Sequence, residues 1–282
     1  MTETGEQFVL DRSKEPWFWS HYDVAASAVM SLAPQRCFAA GRRIVDFGCG
    51  DGVTALGIAS RAPARVIGVD LYRTFAHLKD CSERNLGRPA LPPNLSFVQN
   101  ELGRPLPLPD AYADLIYSWS VFEHLSDAAG ILEEFARISR PGGAVFIQIE
   151  PLFYSPFGSH LQRLVDEPWA HLLYGEDEYL ARAASASNHI ALDEQDTLYR
   201  THEFDELKRH LIEEYRALNR TTVEELSQLV GRSGFTIRET RLFEVEGLQP
   251  PAELLQRYSR DQLMTNQMIV IAERAGSPPT RG

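Results

Sequence analysis

One short run carries residues that could do chemistry: Asp46, then glycines at alternate positions, Gly48, Gly50 and Gly52. Glycine tolerates positive φ, and without a Cβ it lets a ligand lie directly on the backbone. The next residues, Val53-Thr54-Ala55-Leu56-Gly57-Ile58-Ala59, are apolar at helical spacing. A helix there turns free N–H groups and a positive dipole end toward the glycines. The spacing is not the dinucleotide pattern G-x-G-x-x-G. An acidic residue before the first glycine suits a ligand with an ammonium group rather than a pyrophosphate. Arg65-Val66-Ile67-Gly68-Val69-Asp70 then reads as a second strand ending in a carboxylate. In doubly wound folds a carboxylate there takes a ribose hydroxyl pair.

The Asp-x-Gly-x-Gly-x-Gly turn and Asp70 together resemble the class I S-adenosylmethionine-dependent methyltransferase family, in its small-molecule, type 11-like form. The resemblance covers about residues 40–150. It implies an α/β fold with a doubly wound, seven-stranded, mostly parallel Rossmann-like sheet and an insertion after strand five. It also implies S-adenosyl-L-methionine as cofactor. The family pattern maps the cofactor onto Asp46, Phe47, Gly48, Cys49 and Gly50 in the turn, and onto Asp70 and Leu71. Glu101 matches the position that meets the adenine amino group, with Leu102 packing on the ring. Ser118, Trp119 and Ser120 match the segment lining the methionine end. Trp17, Trp19 and Tyr22 precede the fold where family members often close a helix over the cofactor, so they are expected either to cover the ligand or to pack that helix. Cys49 reads as a small residue fitting a tight turn.

The elements that must position these residues follow from periodicity. Residues 42–47, 65–70, 95–99, 112–118 and 144–150 read as five strands. A helix near 74–86 joins the second and third. Ser126-Asp127 can cap a helix with Ala128, Ile131, Leu132, Phe135 and Ile138 inward, and Arg140-Pro141-Gly142-Gly143 is read as its stop. Beyond the insertion, a charged amphipathic helix spans 205–217, and a capping-box pattern at Thr221-Thr222 starts another. Strands at 235–242 and 267–272, with a Pro-initiated helix near 250–263 between them, complete the sheet. The implied divisions are 1–40 as a helical lid, 41–150 as the cofactor-binding core, 151–220 as a substrate-binding insertion and 221–275 as the rest of the sheet. Residues 1–15 are expected to be mobile and the Gly276-Ser277-Pro278-Pro279 tail disordered.

The insertion supplies the catalytic candidates. It is aromatic, with Phe153, Tyr154, Phe157, Trp169 and Tyr174, and it follows strand five, where ligands bind in open α/β folds. His160 and His171 are candidate general bases, or else histidines that pack within the insertion. Glu150, at the strand end, is an orienter or an alternative base. His124, in the Glu-His-Leu triplet after strand four, is catalytic or positioning.

The net charge of −11 over 282 residues opposes binding to a phosphate backbone. The Asn/Asp-Pro-Pro-Tyr motif and the Pro-Cys pair of nucleic-acid methyltransferases are missing. No apolar run is long enough for a membrane span. The three cysteines, Cys37, Cys49 and Cys81, fit neither a zinc site nor a disulfide framework. The expectation is a cytoplasmic enzyme acting on a small molecule, with neither nucleic acid nor membrane as partner. It would be an O-methyltransferase of a hydroxylated acceptor, a sugar or glycoside by the aromatic insertion, with a histidine base and in-line transfer. A carboxyl methyltransferase needing no base is the alternative. Another is a cofactor-binding regulatory protein without turnover. Glu150, His160, Asp166 and His171 could hold a divalent metal, although their spacing carries no metal signature.

Overall fold

The strand and helix alternation of residues 42–150 closes into one side of a seven-stranded sheet in the computed structural model. The structure describes residues 15–88, 90–187 and 204–276. The expectations of a mobile start before Glu15 and a disordered tail after Gly276 lie outside them. The strands are β1 (Arg43–Phe47), β2 (Arg65–Asp70), β3 (Leu95–Gln99), β4 (Ala113–Trp119), β5 (Ser139–Ile149), β6 (Phe235–Glu244) and β7 (Thr265–Arg274). Their order is β3-β2-β1-β4-β5-β7-β6. All pairs are parallel except those β7 makes with β5 and β6. The sheet therefore has the doubly wound order, with its switch point between β1 and β4, where ligands of open α/β sheets bind.

Helices cover both faces. On one face α5 (Ala128–Ile138) and α9 (Val223–Arg232) bury Leu132, Phe135, Leu226 and Val230 against Val45, Ile116, Val145 and Val270. On the other, α2 (Ala26–Leu32) and α3 (Val53–Ala59) bury Val29 and Ile58 against Ile44, Tyr117 and Phe146. Local chemistry sets the ends. Asp127 accepts from the Gly130 N–H at 2.8 Å, and Thr222 and Glu225 form a reciprocal capping box. In α3, Gly57 has a reason to be glycine: a Cβ there would stand 2.3 Å from the Tyr22 carbonyl oxygen. The bare backbone lets the N-terminal helix lie against α3.

The aromatic run before the fold is helical, as α1 (Glu15–Trp19) continuing through a π-helical turn, Ser20–Ala25, into α2. Two expectations change. Arg140-Pro141-Gly142-Gly143 does not simply stop α5, because β5 already begins at Ser139. The register between β4 and β5 shifts beside it, and Gly142 takes φ 75°, so the Pro-Gly-Gly run is an irregularity within the strand. Residues 250–263 hold a 3₁₀ turn, Leu254–Gln256, and a short helix after a fresh cap at Ser259 rather than one helix.

After β5 the chain leaves the sheet through turns into α6 (Ala170–Leu173) and α7 (Glu176–Ser185), and α8 (Phe204–Ala217) follows. These elements share a core of their own. Phe153, Leu161, Trp169, Tyr179, Leu207, Tyr215, Leu254 and Met264 are all buried in it. The aromatic side chains of the insertion are thus mostly spent on packing. α10 (Arg260–Met264) closes this core from the far end of the chain.

Candidate functional site

The Asp46–Gly52 turn leaves β1 with three glycines at positive φ, 72° at Gly48, 52° at Gly50 and 79° at Gly52. At Gly50 a Cβ would meet nothing within 4 Å, so the backbone there borders open space. The Gly50 N–H donates to Asp70 Oδ2 at 2.8 Å, and Asp70 Oδ1 accepts from the Tyr72 N–H at 2.8 Å. One carboxylate therefore ties the glycine turn to the end of β2. Burial raises the Asp70 pKa, and its backbone donors, from Tyr72 and Gly50 first, oppose the rise.

Asp46 is buried, and among the described residues its Oδ2 has no hydrogen-bond partner. Burial pushes its pKa up to about 8; the nearby Tyr117 hydroxyl opposes the shift and the Asp70 and Asp51 charges add to it. A buried carboxylate short of partners, a glycine backbone facing space and a carboxylate at the strand end are the features a nucleoside ligand with an ammonium group requires. They fit S-adenosylmethionine.

The glycine backbone and Asp70 open on a cavity of about 1230 Å³, and Asp46 lies buried outside its lining. Its lining takes Phe47, Gly48 and Gly50 from the turn, Asp70 at the end of β2 with Leu71 after it, Glu101 and Leu102 after β3, and Ser120 after β4. Val121 also lines it and lies over Gly48, where a Cβ would come within 2.4 Å of its Cγ2. Other candidates stand elsewhere. Cys49 is buried and points at β2, where a Cβ on Gly68 would stand 2.8 Å from its Sγ, and burial raises its thiol pKa. Ser118 is fully buried, and Trp119 stacks on Phe146 at 6.3 Å. Neither belongs to the cavity wall. Trp19 is 45% exposed away from it, while Tyr22 is buried, stacked on Phe18 and lying under Arg61. The N-terminal residue that reaches the turn is Trp17, whose Nε1 donates to Asp51 Oδ2 at 2.9 Å.

The candidate bases separate in the same way. His124 lines the cavity and is exposed. His160 stands behind it, ring centroids 5.1 Å apart and edge to face, outside the lining, with its Nε2 buried and unpartnered among the described residues. Burial lowers its pKa to about 4. His171 is buried in the insertion core, donates from Nε2 to the Phe153 carbonyl at 2.6 Å and is likewise lowered to about 4 by burial. Its packing partners account for it, and it does not reach the cavity. Glu150 lies outside the lining too, held by Gln267 and Asn266. Among the described residues no group of three or more histidines, cysteines or carboxylates is placed to hold a metal ion, and Asp166 is bonded to Gln162 instead.

The cavity brings in residues that the sequence reading passed over, among them His77 and a pair on α8. His210 and Glu214, on α8, line it, with His210 Nε2 3.3 Å from Glu214 Oε1. Their i,i+4 spacing put them on one helix face and was the available signal, but such a pair reads equally as a surface ion pair.

Comparison with known proteins agrees with this geometry. A methyltransferase domain family matches residues 45–147. A probable S-adenosylmethionine-dependent methyltransferase of Mycolicibacterium smegmatis is 35% identical over 156 residues, 54% of this chain and 53% of that protein. The trans-aconitate 2-methyltransferase of Azoarcus sp. is 35% identical over 133 residues, 47% of this chain and 48% of that protein. The chain spans about half the length of these curated relatives. A solved S-adenosylmethionine dependent methyltransferase from Mesorhizobium loti superposes with a TM-score of 0.51 at 18% identity, covering 90% of this chain and 100% of that one, a likeness of fold. Domain match, sheet order and glycine turn coincide on the same residues, and residues 45–147 form a methyltransferase domain of the class I S-adenosylmethionine-dependent kind.

Proposed function

We propose that the protein transfers the methyl group of S-adenosylmethionine to a hydroxyl of a small, uncharged or cationic acceptor. The observation that carries this reading is the shared cavity: the Gly50–Asp70 cradle and the His210–Glu214 pair line one space. When bound, the cofactor supplies an electrophilic methyl group on a sulfonium. Asp70 would accept from the ribose hydroxyls, Glu101 and Leu102 would border the adenine, and Asp46 would balance the ligand's positive charge. A hydroxyl nucleophile is weak, so a base helps. His210 would take that role, oriented by Glu214, whose Oε1 stands 3.3 Å from Nε2. His124 would position the acceptor.

The charge of the wall narrows the acceptor. Eight carboxylates and two guanidiniums line the cavity, which disfavours a multiply anionic molecule. The aromatic platform that pointed to a sugar is mostly spent on packing the insertion core, so that motive is withdrawn and the class stays at hydroxylated small molecules. Among the described residues no helix is long and apolar enough to cross a membrane.

The test is a methyl-transfer screen of neutral hydroxylated acceptors with labelled cofactor. Product is expected from the native protein, and His210→Gln is expected to lower kcat about 10²-fold while cofactor affinity holds. Failure of the folded protein to bind S-adenosylmethionine would sink the reading. A carboxyl acceptor is the second reading, favoured by the substrate in the name of the Azoarcus relative. It needs no base, so full kcat in His210→Gln would select it.

Asp46 gives a second expected result. Because burial holds its proton up to about pH 8, binding a cation beside it at pH 7 should release that proton. Calorimetry in buffers of different ionisation enthalpy would count the protons. Asp46→Asn should remove the release, and an unchanged count in that variant would show that the proton comes from elsewhere.

A further inference from the structure

We propose that Gln148 is a positioning residue for the cofactor end of the cavity, with its amide locked in one orientation by Glu150. The inference rests on the cofactor reading above for its consequence, though not for its geometry. Gln148 is fully buried on β5, in register with Trp119, the last residue of β4. The next residue, Ser120, lines the cavity and has φ 50°, a left-handed conformation that a non-glycine residue keeps only where its surroundings fix it.

Those surroundings are Gln148. Its main-chain carbonyl accepts from the Ser120 N–H at 3.1 Å, and its Oε1 accepts from the same N–H at 2.8 Å and from the Ser120 hydroxyl at 3.0 Å. Its Nε2 donates to Glu150 Oε2 at 3.3 Å. Glu150 is held in turn, Oε2 by Gln267 Nε2 at 2.7 Å and Oε1 by Asn266 Nδ2 at 3.1 Å. Asn266 also ties down the start of the insertion, its Oδ1 accepting from the Ser155 hydroxyl at 3.0 Å and its carbonyl from the Leu152 N–H at 2.8 Å.

Donor and acceptor counting fixes the amide. Turned over, it would set its NH₂ against the Ser120 N–H and its oxygen against the Glu150 carboxylate, two mismatches at once. In the observed orientation the Ser120 hydroxyl gives its proton to Gln148, so only lone pairs remain for the cavity. Ser120 then offers an acceptor where an ammonium donor would sit. Val121, which packs over Gly48, follows directly in the chain, so the same clamp sets the roof of the glycine turn. Glu150, a candidate base in the sequence, thereby acts through another side chain.

The test exchanges the two chemistries. Gln148→Glu faces one carboxylate with another, while Q148E/E150Q restores a donor opposite an acceptor once Gln267, which donates to the same Glu150 oxygen, turns its amide over to accept. Two signals are read, the Ser120 amide resonance in a ¹H–¹⁵N spectrum and the Kd for S-adenosylhomocysteine by calorimetry. Q148E should move the resonance and weaken binding about tenfold or more. The double variant should recover to within about threefold of the native protein. A folded Q148E with an unmoved resonance and native affinity overturns the proposal, as does a folded double variant with no recovery. Should Q148E not fold, Glu150→Ala removes the lock alone and is read against the same two outcomes. If the native protein itself ignores S-adenosylhomocysteine, the cofactor reading fails, and the Ser120 resonance still decides the clamp.

Discussion

Asp70→Ala is expected to weaken S-adenosylmethionine and S-adenosylhomocysteine binding by at least about 10²-fold while the sheet stays folded. A hydrogen bond to a charged group contributes about 1.5–3 kcal/mol, and a ribose diol on a carboxylate makes two. The substitution also removes the acceptor of the Gly50 and Tyr72 N–H groups, so the turn loses its tether to β2 as the ligand loses its partner. Asp70→Asn separates the two effects. Its single carbonyl oxygen can still take the Gly50 N–H, but its NH₂ then faces the Tyr72 N–H. Affinity between that of the native protein and that of alanine is expected. Calorimetry on all three proteins, with circular dichroism to verify the fold, makes the check. Native-like affinity in Asp70→Ala would mean that the cofactor does not lie on this strand end.

The placement of Asp70 beside the glycine turn was legible because it is written in local chain geometry. A strand, positive-φ residues and a helix start within one short run leave few alternatives, and the parallel order of β1, β2 and β4 then dictates where the strand ends meet. Strand and helix positions followed for the same reason. The insertion was not legible in this way. Its aromatic residues alternate without a clean period, and the other half of their core comes from α8 and from Leu254 to Met264, far along the chain. Nothing near Trp169 or His171 in sequence announces that they will be buried there rather than open to a ligand. The same distance hid His210 and Glu214. The helix was visible and so was their shared face, but only the folding of the insertion core turns that face toward the cavity. Trp19 and Tyr22 illustrate a phase error. Once residues 15–32 are helical throughout, the residue that points at the turn is Trp17, and its neighbours fall on other faces.

Burial is also what sequence conceals at Glu123, the first residue of the Glu-His-Leu triplet, and it leads to the second large effect. Glu123→Gln is expected to stabilise the protein at pH 8 by about 2–4 kcal/mol and to make little difference at pH 5. The Glu123 side chain is 4% exposed, and among the described residues neither carboxylate oxygen has a hydrogen-bond partner of ordinary geometry. Burial lifts its pKa to about 8, the Glu150 charge adds to the rise, and the backbone N–H groups of Glu123 and Glu150 offset only part of it. The folded pKa thus lies above that of the unfolded chain, near 4.5. In that case the glutamate's contribution is fully present below pH 4.5 and is lost as pH rises toward 8, because the folded protein must hold a proton that the unfolded chain would release. Glutamine is neutral at every pH and nearly the same shape, so it escapes the loss. Denaturant melts of both proteins at pH 5, 6.5 and 8 would show the difference widening with pH. A constant difference would mean that Glu123 stays ionised in the fold through a partner, whereas a widening one shows a neutral acid beside His124. The fold then carries this glutamate at a cost that apolar packing cannot explain, at the segment that lines the cavity.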